Sequence, residues 1–242
     1  MLKGVKINGI FDDCDVRCAN FTGSIETIIN PQVLRKRSLY GTILNGVVIR
    51  GTLDNCIINK TNFKGSIGAI INPQEISKKN LSNAILYNAL ITGPFNNCII
   101  AGTDFTGTTF KEDRYKVIEL QSLRNRSLWH TNLNGITLSG SLDNFCIERA
   151  NFKGSNGAII NPQTILFKNL RGTILDGVII CGSLEDCIID ETNFEGSNGA
   201  VMSYEQYCKL QKQDNNLTDV KIDYEYMEAL EEINRVFQKV KK

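Results

Sequence analysis

The sequence predicts an all-β solenoid, a stack of short coils, for most of its 242 residues. In its clearest stretch, large apolar residues recur at steps of five, five, four, five and five: Leu39, Leu44, Ile49, Leu53, Ile58 and Phe63. An amphipathic helix would space them three or four apart and a half-buried strand two apart, so neither explains this period. A period of five fits short extended sides joined by turns, with one large and one small residue directed inward from each side.

The same ladder returns along the chain, and each copy ends in a phenylalanine: Phe21, Phe63, Phe105, Phe152 and Phe194. A small residue stands two positions before most of the large ones, as Cys56 does before Ile58. A connector follows each phenylalanine and leads to the leucine that opens the next copy, as from Phe63 to Leu81. The resulting unit, such as the one from Phe21 to Phe63, is interpreted as two coils with one bulged corner.

Short motifs in this ladder resemble the Ala-(Asp/Asn)-Leu-X-X motif of the pentapeptide-repeat proteins. The motifs are Ala19-Asn20-Phe21-Thr22-Gly23 and Ala150-Asn151-Phe152-Lys153-Gly154, with Thr in place of Ala at Thr61-Asn62-Phe63, Thr103-Asp104-Phe105 and Thr192-Asn193-Phe194. The resemblance covers roughly residues 2 to 202 and implies a right-handed, four-sided parallel β-helix with four pentapeptides per coil. It implies no specific activity, because such a solenoid is a scaffold whose function lies in its surface sites.

Three connectors carry the same Asn-Pro-Gln core, at Asn30-Pro31-Gln32, Asn72-Pro73-Gln74 and Asn161-Pro162-Gln163. Asn favours the N-cap and Pro the first helical position, so each core predicts one short helical turn. The third connector is longer by one pentapeptide, and its segment Lys111 to Leu120 lacks the Asn-Pro-Gln core. This irregular segment (111–120) is either a binding site or a tolerated surface insertion.

The two ends of the chain depart from the ladder. Residues 2 to 23 enter it at once, so the first coil is expected to expose unpaired backbone groups, which either a homodimer through that end or a local twist satisfies. From Ser203 the period is lost, and Ser203 with Gln206 predicts a capping box that opens a helix to about Lys212. A last amphipathic helix is predicted from about Asp223. The chain is therefore divided into a β-helix of five units (1–202) and a C-terminal helical segment (203–242) that either covers the final coil or dimerises.

Charged residues follow two rows along the repeat. A basic row consists of Arg37, Lys79, Arg126 and Lys168, and an acidic row consists of Asp12, Asp54, Asp143 and Glu185, with Asn96 at the missing acidic position. Successive basic residues are expected about 10 Å apart, two strand spacings. The rows are expected on different faces and are the candidate interaction surface. They orient an acidic partner, track a phosphate backbone or form ordinary solvated faces.

The eight cysteines do not suggest disulfides or a metal site. Cys14, Cys56, Cys98 and Cys187 occupy one repeating small position, where a free thiol behaves as a buried apolar residue. Coils two apart place them about 10 Å from one another, too far for a disulfide. With one histidine, His130, and no C-x-x-C pair, no metal or other cofactor is expected.

Composition and motifs predict a non-enzymatic scaffold for protein–protein interaction. A net charge of +1 argues against general attraction to nucleic acid or an anionic membrane, and without an apolar run long enough to span a bilayer the expected location is the cytoplasm. No phosphate-binding loop, nucleophile elbow or paired-carboxylate site is present. The alternative is a DNA mimic that protects or inhibits a type II topoisomerase such as DNA gyrase, as some proteins of the resembling family do. The near-neutral charge argues against it.

Overall fold

The computed structural model describes residues 11–24, 27–210 and 216–223. Short strands and turns dominate. The strands are β1 (Thr27–Ile29), β2 (Val47–Ile49), β3 (Ile70–Ile71), β4 (Leu90–Ile91), β5 (Thr109–Phe110), β6 (Val117–Glu119), β7 (Thr137–Ser139), β8 (Ile159–Ile160), β9 (Ile179–Ser183), β10 (Asn198–Ser203) and β11 (Lys221–Asp223). One α-helix, α1 (Tyr204–Leu210), follows β10, and single 3-10 turns span Pro31–Val33, Arg35–Arg37, Ser77–Lys79, Asp113–Lys116, Leu120–Ser122 and Leu166–Lys168.

All the described strand pairs are parallel, and each joins a strand to the one that follows it in the sequence. The sheets run β1-β2, β3-β4-β5, β6-β7 and β8-β9-β10-β11. Thr27 pairs with Val47 in the first sheet, and Ile159 pairs with Ile179 in the last. The chain therefore returns to the same side of the stack once per coil, and we call each such coil a pass.

Isolated bridges on another side give the length of each pass. They join Asn20, Ile43, Asn62, Ile85, Asp104, Asn132, Asn151, Ile174, Asn193 and Asn216 in that order. A longer pass, as from Asn20 to Ile43, alternates with a shorter one, as from Ile43 to Asn62. The predicted unit is thus a long pass and a short pass, and the third connector lengthens one long pass, from Asp104 to Asn132, by one pentapeptide.

The predicted inward ladder forms one continuous apolar core. The five phenylalanines that end the ladder copies are all buried, with Phe63 at 0% exposure, and the leucines between them are buried in the same cluster. Threonine replaces the small alanine of the motif without leaving a polar group unpaired. The hydroxyl of Thr61 donates to the carbonyl of Leu39 (2.6 Å), and Thr192 donates to Leu170 (2.8 Å). Each such bond joins one pass to the pass before it.

The Asn-Pro-Gln cores form the predicted turns. The side chain of Asn30 accepts a hydrogen bond from the backbone of Gln32 at 3.1 Å, and Pro31 opens a 3-10 turn. Asn72 and Asn161 cap their turns in the same way. At these two cores a hydrogen bond closes the turn, from Glu75 N to the Asn72 carbonyl and from Thr164 N to the Asn161 carbonyl.

The glutamine of each core has a role that its sequence position did not indicate. The Nε2 group of Gln74 donates to the carbonyls of Pro94 and Asn96, both at 2.9 Å, on the next pass. Gln32 and Gln163 make the same pair of bonds one unit before and two units after. The third connector keeps this contact although Asn-Pro is lost there, because Gln121 donates to the carbonyl of Ser141.

The stack of passes continues beyond residue 202. Strand β11 pairs with β10, and Phe194 donates its backbone N–H to the carbonyl of Asn216. The end of the paired strands therefore does not coincide with the predicted boundary. Helix α1 begins after Ser203, as predicted, and the Ser203 hydroxyl accepts from the backbone of Gln206 (3.3 Å). The last predicted helix, nearly all of which follows Asp223, and the N-terminal end proposed for dimerisation lie outside the described residues.

Replacing Phe63 by alanine is expected to lower the free energy of unfolding by about 3–5 kcal/mol, through lost contacts and a residual cavity. Phe167→Ala is the matched control, since Phe167 is 80% exposed and its loss should change stability by less than about 0.5 kcal/mol. Urea unfolding followed by circular dichroism measures both. Equal effects of the two substitutions would contradict the inward assignment of the ladder.

Candidate functional site

The four residues of the basic row occupy equivalent backbone positions. The carbonyls of Arg37, Lys79, Arg126 and Lys168 each accept an N–H from the next pass, at 2.9–3.1 Å. All four have positive φ, between 42° and 49°. The side chains of Arg37 and Arg126 are exposed, whereas Lys79 and Lys168 are half-buried. The repeat therefore displays one basic side chain at this position in each of the four units whose ladders open at Leu39, Leu81, Leu128 and Leu170, the second to the fifth.

The acidic row lies where the glutamine side chains make their bonds. Asp54 and Glu185 accept these bonds through their backbone carbonyls, and so does Asn96 at the interrupted position. Asp12 and Glu185 are exposed, and Asp54 and Asp143 are half-buried. Hydrogen bonding with the hydroxyls of Ser141 and Thr164 lowers the pKa of Asp143.

The two rows meet along one corner instead of lying apart, because Asp54 comes three residues before Ile57, whose N–H donates to the carbonyl of Arg37. Arg37 and Asp54 both act electrostatically on the thiol of Cys56, and Lys168 and Glu185 both act on that of Cys187. The connector explains the difference. Two consecutive residues with positive φ, Lys36 and Arg37, turn the long pass back at this corner, which brings the basic residue beside the cysteine of the next pass. We call this shared edge the charged corner.

Cysteines line the inner side of the charged corner. Cys56 and Cys98 are fully buried, and burial raises the pKa of Cys56 to about 11 and that of Cys98 to about 12. Cys187 is half-buried, with its pKa raised to about 11, again chiefly by burial. The prediction of burial is wrong for Cys14, which is exposed. None of the Pro-Gln turns in the described residues precedes it, whereas such a turn covers each of the other three.

The predicted charged residues do not neutralise one another directly. Within residues 11–24, 27–210 and 216–223, no ion pair joins the basic row to the acidic row. The ion pair at the first corner is made by their neighbours, from Arg35 to Asp13 at 3.4 Å. The exposed members of the two rows, Asp12, Arg37, Arg126 and Glu185, are accessible to a partner, whereas the ammonium group of Lys79 donates to Gln74 and the carboxylate of Asp143 accepts from Thr164.

The irregular segment 111–120 is explained largely by its own contacts. Its extra residues form the 3-10 turn Asp113–Lys116 between β5 and β6. Arg114 pairs with Glu112 at 2.7 Å and stacks on the ring of Tyr115, 5.0 Å from its centroid. Ile118 and Leu120 return to the core. These contacts are typical of a surface insertion, and binding by this segment stays a prediction.

An exposed aliphatic row on the strand face escaped the sequence reasoning. Register places Ile28, Val48 and Ile67 side by side on three successive passes, with Ile70 and Leu90 continuing the row. Ile67 is 67% exposed and Ile70 is 47% exposed. A second exposed pair, Ile159 and Ile179, follows after polar positions. The signal was present in the sequence, as a large aliphatic residue on the outer side of several strands, but the five-residue ladder marks only inward positions.

The depressions on the surface offer little chemistry. One of them, of about 410 Å³, is lined in part by Asp143, Ile159 and the exposed Cys181. Among the residues that the structure describes, no three His, Cys, Asp or Glu side chains are placed to hold a metal ion. No helix in the described ranges combines the length and apolarity needed to cross a bilayer.

Comparisons with known proteins give no assignment. No protein-family model and no curated protein matches the sequence. Among the similar solved structures is a trypsin-treated form of QnrB1, a plasmid-mediated fluoroquinolone resistance protein, which is 15% identical over 95% of this chain and 88% of its own, with a TM-score of 0.20. HetL, a pentapeptide repeat protein involved in heterocyst differentiation regulation in the cyanobacterium Nostoc sp. strain PCC 7120, is 16% identical over 90% of this chain and 87% of its own, also with a TM-score of 0.20. At such scores neither likeness carries an argument.

The buried thiols predict a loss of stability at alkaline pH. Their pKa is raised in the folded state, so the unfolded state, where a thiol titrates near 8.5, loses these protons first. Their contribution is fully present below about pH 8.5 and is lost as the pH rises toward about 11–12. Urea unfolding at pH 8 and at higher pH should show a smaller loss for the double variant Cys56→Ala/Cys98→Ala than for the unaltered chain.

Cys18→Ala is the control for this series, because Cys18 is exposed. It should lose stability with pH as the unaltered chain does, since it keeps both buried thiols. If the double variant shows the same pH dependence as the control, the thiols are not buried in the way described.

Proposed function

We propose that this chain is a right-handed, four-sided β-helix of the pentapeptide-repeat type that serves as a non-enzymatic scaffold for another protein. Four steps of the inward ladder, from Leu44 to Phe63, complete one short pass, which supports four sides. The right hand is the one that parallel connections adopt in nearly all sheets. The rod comprises residues 1–202 and the pass formed by 216–223, with the remaining C-terminal segment as a cap or a dimerisation element.

The aliphatic row is the observation that carries the scaffold function. Ile28, Val48, Ile67 and Leu90 lie on four successive passes, which span about 14 Å at the usual spacing of about 4.8 Å between strands. Ile28 and Ile67 are exposed and Val48 and Leu90 are half-buried, whereas the core is filled by the opposite side of each strand. Contiguous exposed apolar surface of this kind typically marks a protein contact.

The shape of the row favours a protein over a small molecule. β-branched side chains on a run of short parallel strands form a ridge rather than a concave pocket, and small ligands bind in concavities. A partner that buries Ile67 and Ile70 would gain the apolar area that now faces water.

Charge gives no support to a DNA mimic acting on a type II topoisomerase. The chain has 27 basic and 26 acidic residues, whereas a mimic of duplex DNA needs a strongly acidic surface. The charged corner also carries a basic residue in each unit from the second to the fifth. The scaffold function therefore takes precedence.

The double substitution Ile67→Glu/Ile70→Glu is expected to remove partner binding without unfolding the rod. Both side chains are exposed, so the urea midpoint should stay close to that of the unaltered chain. The full chain is immobilised, and the proteins that bind to it are quantified by mass spectrometry. The complex of the chain with the bound partner is then rebuilt from purified components, and calorimetry gives its Kd. The partner's Kd should rise about tenfold or more, as for central contact residues.

Asn198→Glu is the matched control, since Asn198 is an exposed polar residue on the outward side of its strand, β10. It should retain the partner. The proposal fails if no protein binds in stoichiometric amount, or if the partner binds the double variant and the control equally well.

A further inference from the structure

At the charged corner, passes that carry basic residues alternate with passes that carry acidic ones. Asp54 follows Arg37 by one pass, and Glu185 follows Lys168 by one pass. The alternation fails between the third and fourth units. There, the pass between Lys79 and Arg126 carries Asn96 and Asn97 instead of a carboxylate.

The buried thiols report this difference in local charge. One basic and one acidic residue, Arg37 and Asp54, act electrostatically on the thiol of Cys56. Cys98 lies on the pass with Asn96 and Asn97, which we call the neutral pass. Two basic residues, Lys79 and Arg124, and no carboxylate act electrostatically on its thiol. The middle of the charged corner is therefore basic, whereas its two ends are mixed.

Four basic side chains surround the neutral pass, and their described contacts are with uncharged groups. The ammonium group of Lys79 donates to Oε1 of Gln74 (2.6 Å), and the guanidinium of Arg124 donates to Oδ1 of Asn97 (3.2 Å). Lys78 and Arg126 are exposed. In the ranges that the structure describes, none of the four forms an ion pair. Glu75, earlier in the same pass as Lys78, forms none with them either.

We propose that Lys78, Lys79, Arg124 and Arg126 form a basic patch that binds an acidic peptide segment of a partner protein. The two basic passes are two strand spacings apart, about 10 Å, which is the reach of about three residues in an extended chain. Side chains of an extended chain point alternately to opposite sides, so two carboxylates that both face the patch stand two residues apart, about 7 Å, and the long Lys, Arg and Glu side chains close the remaining distance. The inference rests on the proposed function only in taking the partner to be a protein.

The ends of the patch favour a short peptide over a nucleic acid. Asp54 lies one pass before the turn that carries Lys79, and Asp143 lies one pass after Arg126. A phosphate backbone that followed the corner would meet these carboxylates on both sides of the patch. A peptide with two carboxylates ends before it reaches them.

Restoring the missing carboxylate tests the patch without removing any basic side chain. Asn96→Asp places in this pass the residue type that Asp54 supplies in the equivalent pass, so the backbone is expected to accept it. The probe is a fluorescein-labelled eight-residue peptide with glutamates at its third and fifth positions and a threonine between them. Fluorescence anisotropy with the full chain gives the Kd at low and at high salt.

The unaltered chain is expected to bind the probe, with affinity that falls as salt rises. Asn96→Asp should weaken binding about threefold to fivefold, the scale of one exposed charge pair. Asn198→Asp adds the same charge far from the corner and should leave the Kd unchanged. The aliphatic-face variant Ile67→Glu/Ile70→Glu should also leave it unchanged, so failure of this patch and failure of the proposed scaffold face are separate outcomes.

The proposal is overturned if the probe does not bind at low salt, or if Asn96→Asp binds as tightly as the unaltered chain. Equal weakening by Asn198→Asp would show a general charge effect instead of a patch. If a DNA duplex that covers the same length of the corner binds more tightly than the peptide, the patch is assigned to nucleic acid instead.

Discussion

Hydrogen bonding between successive passes is the constraint on which the rest of this structure depends. Each backbone N–H of a paired position must meet a carbonyl of a neighbouring pass, either the one before or the one after, so the length of a pass fixes which residues become neighbours. Long and short passes alternate through the described bridges, and the pass of the third connector, from Asp104 to Asn132, is the one that departs from this. Inward phenylalanines, capped turns and rows of like charge all follow from that regular return of the chain.

The longer passes concentrate the molecule's distinctive features at one corner. A glutamine side chain joins the turn to the next pass, and two residues with positive φ then reverse the chain, as Lys78 and Lys79 do. The buried thiol of Cys98 sits below the basic residue that results. The turns that close the core at this corner therefore also present charged side chains to solvent. On the strand face, side chains alternate between the inside and the outside, and the outer ones form the aliphatic row.

The sequence predicted the parts of the fold that depend on spacing alone. The inward positions, the capped turns and the start of α1 follow from short patterns, and Phe63 and Asn72 lie where those patterns place them. Relations between passes could not be read in this way. The reversal at Lys36 and Arg37 breaks the usual preference of such residues for negative φ, so the meeting of the two charged rows was missed. Exposure of Cys14 depends on which turn covers it, which local pattern does not contain.

A matched pair of deletions tests the role of pass length most directly. Removing residues 63–104 takes out one long and one short pass and joins Asn62 to Phe105 in register. Removing 64–104 takes out one residue fewer, so the chain after the junction is one position out of register with the inward ladder before it. If pass length sets the register, the first chain shows a single cooperative urea transition and the second loses the cooperative fold. Equal stability of the two chains, or failure of the first to fold, would contradict this role of pass length.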